Sequence, residues 1–187
     1  MKKLSLVLIA TGATVGAMAQ IPVGVDLGVF MPTDSDVKDV YGKSWFRIGV
    51  TPISFQKPGN WRFTFDLGFL KRSNDIFIPE GKGGGTTLSN NVTLIPLTFG
   101  FTRSFSDSTD FMPYVALRVG PYYASVDSDS FGVDDSGVGF NANAALGISF
   151  SQRFYIEARY DWYSKFEGID FSGFSISAGI KLFEIRL

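Results

Sequence analysis

From Trp61 the chain reads Trp-Arg-Phe-Thr-Phe-Asp-Leu-Gly-Phe, apolar at every odd position through Phe69, with Arg62, Thr64, Asp66 and Gly68 between. Successive side chains of a strand point to opposite faces, so a strict period of two sorts this segment into an apolar face and a polar one. A helix would scatter Arg62 and Asp66 through its apolar stripe. The same alternation recurs at 23–29, 46–50, 95–101, 115–119, 140–150, 154–162 and 174–182, making eight strands in all. None of the apolar positions is charged, although 19% of the chain is. The opposite positions hold Asp26, Arg47, Arg62, Asp66, Arg118, Glu157, Arg159, Asp161 and Lys181 among Gly, Ser, Thr and Asn. Pro52 and Pro96 cannot donate to a ladder, so a bulge is expected near each.

The connections differ in length. Residues 32–43, 71–87 and 127–137 read as long polar loops, 56–60 and 151–153 as short turns, and 103–110 and 164–170 as intermediate ones. An up-and-down meander with two unlike ends fits this pattern, and an even strand number puts both termini at the same end.

A closed eight-stranded sheet can be a soluble binder with an apolar interior, as lipocalins are, or its inverse with the apolar face in lipid. Inversion is favoured three ways. The apolar faces are rich in large aromatics, and so many cannot fit inside eight strands, whose interior is only just wide enough for side chains. The other face is rich in small residues, and its charges nearly balance, Arg47, Arg62, Arg118, Arg159 and Lys181 against Asp26, Asp66, Glu157 and Asp161. Trp45, Trp61 and Trp162 stand at or near strand ends, where an aromatic girdle would meet lipid headgroups.

The first residues read as an address. Lys2 and Lys3 precede a short apolar stretch at 4–15, and Ala17-Met-Ala19 leads to Gln20, the three parts of a secretory signal peptide. The stretch is too short to span a bilayer as a helix. The expected organisation is a signal peptide at 1–19 and a barrel domain at 20–187.

The segments Asn91–Phe101 and Pro113–Tyr123, with Gly139–Ser149 and Phe154–Tyr160, resemble the bacterial outer-membrane β-barrel proteins of the small OmpA-like eight-stranded type. The resemblance is one of pattern and covers the whole of 20–187. It implies an all-β, antiparallel, up-and-down transmembrane barrel in the bacterial outer membrane. It also implies a monomer in contact with outer-membrane lipid and delivered by the barrel-assembly machinery. Family members typically end on an aromatic residue, whereas this chain ends Phe183-Glu-Ile-Arg-Leu187, and its alternation slips at Leu182-Phe183, where the strand bulges or stops.

Composition removes several chemistries. There is no Cys and no His, so thiolate nucleophiles, disulfides and the commonest general base are absent. A net charge of −1 argues against nucleic acid. Glu157, Arg159 and Asp161 could be a carboxylate pair for acid–base work, but a lumenal salt-bridge network is the better reading. Asp127 to Asp135 partly matches a calcium loop but lacks the closing bidentate carboxylate, which leaves a solvated acidic tip. Gly81 to Gly85 lacks phosphate-loop spacing and reads as a flexible tip. Lys71 and Arg72 fall at the outer interface. No catalytic residue, metal or cofactor is expected. The expected role is non-enzymatic, as an anchor or as a surface-interaction protein through its long loops toward an unknown surface ligand, with a narrow pore as the alternative.

Overall fold

The computed structural model describes residues 20–52, 61–80, 84–106, 110–151 and 153–186. The expected signal segment 1–19, the turn at 56–60 and the terminal Leu187 lie outside them. The elements in chain order are β1 (Gln20–Pro32), α1 (Ser35–Tyr41), β2 (Trp45–Pro52), β3 (Trp61–Glu80), β4 (Gly84–Ser104), β5 (Phe111–Ser128), β6 (Val133–Phe150), β7 (Phe154–Tyr163) and β8 (Gly173–Arg186). Each strand pairs antiparallel with the next, and β1 pairs with β8 to close the barrel. We call the end that carries Gln20 and Arg186 the base and the end that carries α1 the mouth.

Register keeps the two faces apart. Phe63 pairs with Phe101, which pairs with Leu117, then Ala144 and Tyr160 follow, so one apolar row runs around the outside. Phe63 and Leu146 are each 66% exposed, while Asp66 is 1% exposed. That is the inverse of a soluble binder, and so large an apolar surface needs hydrocarbon around it. No helix among the described residues is long and apolar enough to cross a membrane; the apolar face that meets hydrocarbon is the outer side of the closed barrel.

Three expected loops are ordered differently. Residues 71–80 and 84–87 continue β3 and β4 as a paired ladder, with Lys71 paired to Thr93 and Phe77 to Thr87, and residues 81–83 of the expected Gly81–Gly85 tip lie outside the described residues. Residues 127–137 continue β5 and β6 around a tight turn at 129–132, with Asp127 paired to Asp134. The 32–43 segment contains α1. The cause is common to the first two: a strand crosses the hydrocarbon in about 9–11 residues, whereas β3 has 20 and β4 has 21. Beyond the bilayer the outer face meets water as well, so the outward apolar run fades while the backbone ladder persists.

The helix has local reasons of its own. Asp34 caps it, its Oδ1 accepting from the backbone N–H groups of Asp36 at 2.9 Å and Val37 at 3.1 Å. Gly42, at φ 87°, ends it and turns the chain into β2.

The proline expectations resolve without bulges. Pro52 is the last residue of β2, and Pro96 leaves the register with β3 unchanged, Leu97 facing Leu67 and Leu94 facing Leu70. The slip at Leu182 is a bulge: Val23 pairs with Phe183 and Gly24 with Lys181, and β8 continues to Arg186.

Candidate functional site

The lumen is built in layers along the inward phase of the strands. A charged layer holds Asp26, Arg47, Asp66, Arg118, Glu157, Arg159 and Asp161, all buried. Asp66 is its hub. Its carboxylate accepts from Arg47 Nη2 at 2.9 and 3.0 Å, from Arg159 Nη1 at 2.7 Å and from Thr51 Oγ1 at 2.7 Å. Arg47 Nη1 also pairs with Asp26, whose other oxygen accepts from the Tyr155 hydroxyl at 3.1 Å. Arg159 Nη2 reaches Glu157 at 3.0 Å, and Glu157 pairs in turn with Arg118 at 3.1 Å. Tyr114 donates to Glu157 at 3.0 Å, and Arg118 donates to Asn143 at 3.3 Å. Asp161 accepts from Ser175 Oγ at 3.1 Å.

Small residues make room for this layer. A Cβ on Gly49 would meet the Asp26 carboxylate and the Arg47 guanidinium, and one on Gly147 would meet the Tyr114 ring. Buried charges are tolerable only when paired, since each would otherwise carry a desolvation cost of several kcal/mol. Asp66 and Glu157 have both oxygens engaged by guanidinium groups or hydroxyls, so neither is poised as a general base. Among the described residues no group of His, Cys, Asp and Glu is arranged to hold a metal ion.

Toward the mouth the inward phase turns apolar. Asp26 gives way to Phe30, Asp66 to Leu70, Arg118 to Tyr122 and Asp161 to Tyr163, all buried. Into this ring fold Val37 and Tyr41 of α1 and Phe166, Ile169 and Phe171 of the β7–β8 connection. Trp45 sits at its centre, its ring centroid 5.3 Å from Phe30, 5.8 Å from Tyr41 and 6.1 Å from Phe171. Hydrogen bonds fasten the plug to the wall: Arg72 Nε donates to the Tyr41 carbonyl at 2.8 Å, and Asn74 Nδ2 to that of Val40 at 2.7 Å. Tyr122 donates to the Ser164 carbonyl at 2.6 Å. Burial holds the Tyr41 phenol above its ordinary pKa. At the base, Met112, Tyr114 and Tyr155 form a smaller apolar layer.

Of the nine charged positions read as lumenal, seven therefore meet in one cluster. Arg62 and Lys181 are half-exposed near the base. Trp45 does not belong to a girdle: at 2% exposure it is the heart of the plug. Its parity shows why, since it shares the inward phase with Arg47. Trp61 at 48% and Trp162 at 46% exposure do face outward, at the base and mouth ends respectively. The acidic tip is a fastening, with Asp129 Oδ2 accepting from the Ser89 backbone N–H at 2.8 Å. Sequence reasoning missed the plug, although Phe30, Leu70, Leu94, Tyr122 and Tyr163 all lie in the charged residues' phase.

A family model described as outer membrane protein beta-barrel domain matches residues 5–181. No curated protein matches the sequence. Among solved structures, the fold is similar to the outer membrane enzyme PagL, at 15% identity over 85% of this chain and 99% of that one, with a TM-score of 0.54. It is also similar to Neisserial surface protein A, at 16% identity over 88% of this chain and 96% of that one, with a TM-score of 0.51.

Proposed function

The chain belongs to the outer-membrane β-barrel family, and from that premise we propose that it is a closed, non-enzymatic anchor that presents its mouth to the outside as a contact surface. The observation that carries this reading is the filled lumen: a charged layer lies between an aromatic plug and the apolar layer at the base. An eight-stranded interior has room for little besides its own side chains, which weighs against the narrow-pore alternative. PagL is an enzyme by description, but the present chain has no His, and its buried Asp66 and Glu157 are held by arginines. The surface left to meet a partner is the part of β3 to β6 that continues past the bilayer, together with α1. In this reading residues 1–19 direct export, the barrel-assembly machinery inserts the barrel as a monomer, and the base faces the periplasm.

Cysteine labelling tests the orientation, because the chain has no native Cys. Thr87→Cys, on the exposed mouth hairpin, should react with a membrane-impermeant maleimide on intact cells. Arg153→Cys, in the turn at the base, should react only after lysis. The reverse pattern, or labelling of neither on intact cells, would overturn the reading.

A further inference from the structure

On the lipid-facing side of β5 to β8 the apolar wall is interrupted. Ala144 and Ala158 form a low floor, and Leu117, Leu146, Tyr160 and Phe174 rise around it. Tyr160 and Phe174 brace each other with ring centroids 4.9 Å apart. The result is an open apolar groove of about 1030 Å³, at the upper end of the roughly 300–1,000 Å³ of ligand pockets. It runs mouthward to Thr33 and Lys38. There Lys38 Nζ donates to the Thr33 carbonyl at 2.7 Å, which uses one of the three donors of an ammonium. The nearby Asp34 carboxylate is turned toward the α1 backbone it caps.

We propose that this groove holds an acyl chain of an anionic outer-leaflet lipid whose headgroup phosphate rests against Lys38. In a bilayer an apolar groove on this face is bathed in acyl chains. Selectivity then comes from packing on the alanine floor and from the cation at the groove's end, not from removal of apolar surface from water. A smaller groove of about 540 Å³ shares Leu117, Ala144 and Tyr160 but has Ala142 in its floor, Trp162 in its wall and no lysine in its lining. The two grooves thus differ in the feature the proposal depends on.

The test is native mass spectrometry of the detergent-solubilised full barrel, incubated with equal amounts of phosphatidylglycerol and phosphatidylcholine of identical chains. Folding of each variant is checked by its heat-modifiable gel shift. The wild type should retain one phosphatidylglycerol in preference to phosphatidylcholine. Ala158→Phe fills the larger groove and should lower retention about tenfold, while Ala142→Phe in the smaller groove should not. Lys38→Gln, outside the barrel wall, should cut the preference for the anionic lipid about fivefold. Equal retention by the two alanine variants, or no preference in the wild type, would overturn the proposal.

Discussion

The charged layer and the aromatic plug fill the same lumen by opposite means. In the charged layer the strands alone supply the side chains, and closure depends on pairing: Asp66 is shared between Arg47 and Arg159, and Glu157 between Arg159 and Arg118. In the plug the strands supply a rim and, from the first residue of β2, Trp45 at the centre. The rest of the filling comes from α1 and the β7–β8 connection, and closure depends on their packing around Trp45. The difference teaches where each can fail. A paired layer fails when one partner is removed and a charge is left stranded. A packed layer fails when the segment that brings in the side chains lets go.

The largest effect is expected from Asp66→Leu. It leaves Arg47 with Asp26 alone and Arg159 with Glu157 alone, each guanidinium one carboxylate short in the low-dielectric lumen, and should cost about 3–5 kcal/mol, read from denaturant unfolding of the refolded barrel in lipid. A cost under about 1 kcal/mol would mean that water, not pairing, sustains the layer.

Next comes the neighbouring position on the outer face. Phe65→Arg places a charge in the hydrocarbon and should cost about 2–4 kcal/mol near midplane, with a smaller penalty in detergents that let water approach. A harmless Phe65→Arg would mean that the faces are misassigned.

A smaller and more local effect is expected from Asp34→Ala. Loss of the α1 cap should cost about 1 kcal/mol, felt as faster amide exchange in α1 and weaker near-UV dichroism from the plug. Exchange in β3 and β7 around Asp66 and Arg159 should stay unchanged. Equal loosening of both layers would show that plug and network form a single cooperative unit.

The two layers were not equally legible in the sequence. Hydrocarbon permits no charge on one face, so runs such as 61–69 announce both the strand and its inward partners, and the buried arginines and carboxylates followed by parity. The paired extension of 71–80 and 84–87 carried no such mark, because water on its outer side and α1 backbone on its inner side both suit polar residues, and Lys71, Ser73 and Asp75 need not differ from Arg72 and Asn74. The plug was partly written, since Trp45 and Phe30 lie in the inward phase of Arg47 and Asp26. Recognising it required knowing that α1 and the 164–172 connection fold back into the mouth, a long-range event with no local period.

Planar-bilayer recording tests the central claim, that either layer alone closes the lumen. Purified wild-type barrel should give no steady unitary current. Trp45→Ala combined with Phe171→Ala should open the plug yet remain silent, because the Asp66–Arg159–Glu157 layer still spans the interior. Steady unitary currents through the wild type would contradict the account, and currents through the plug variant alone would show that the charged layer does not seal.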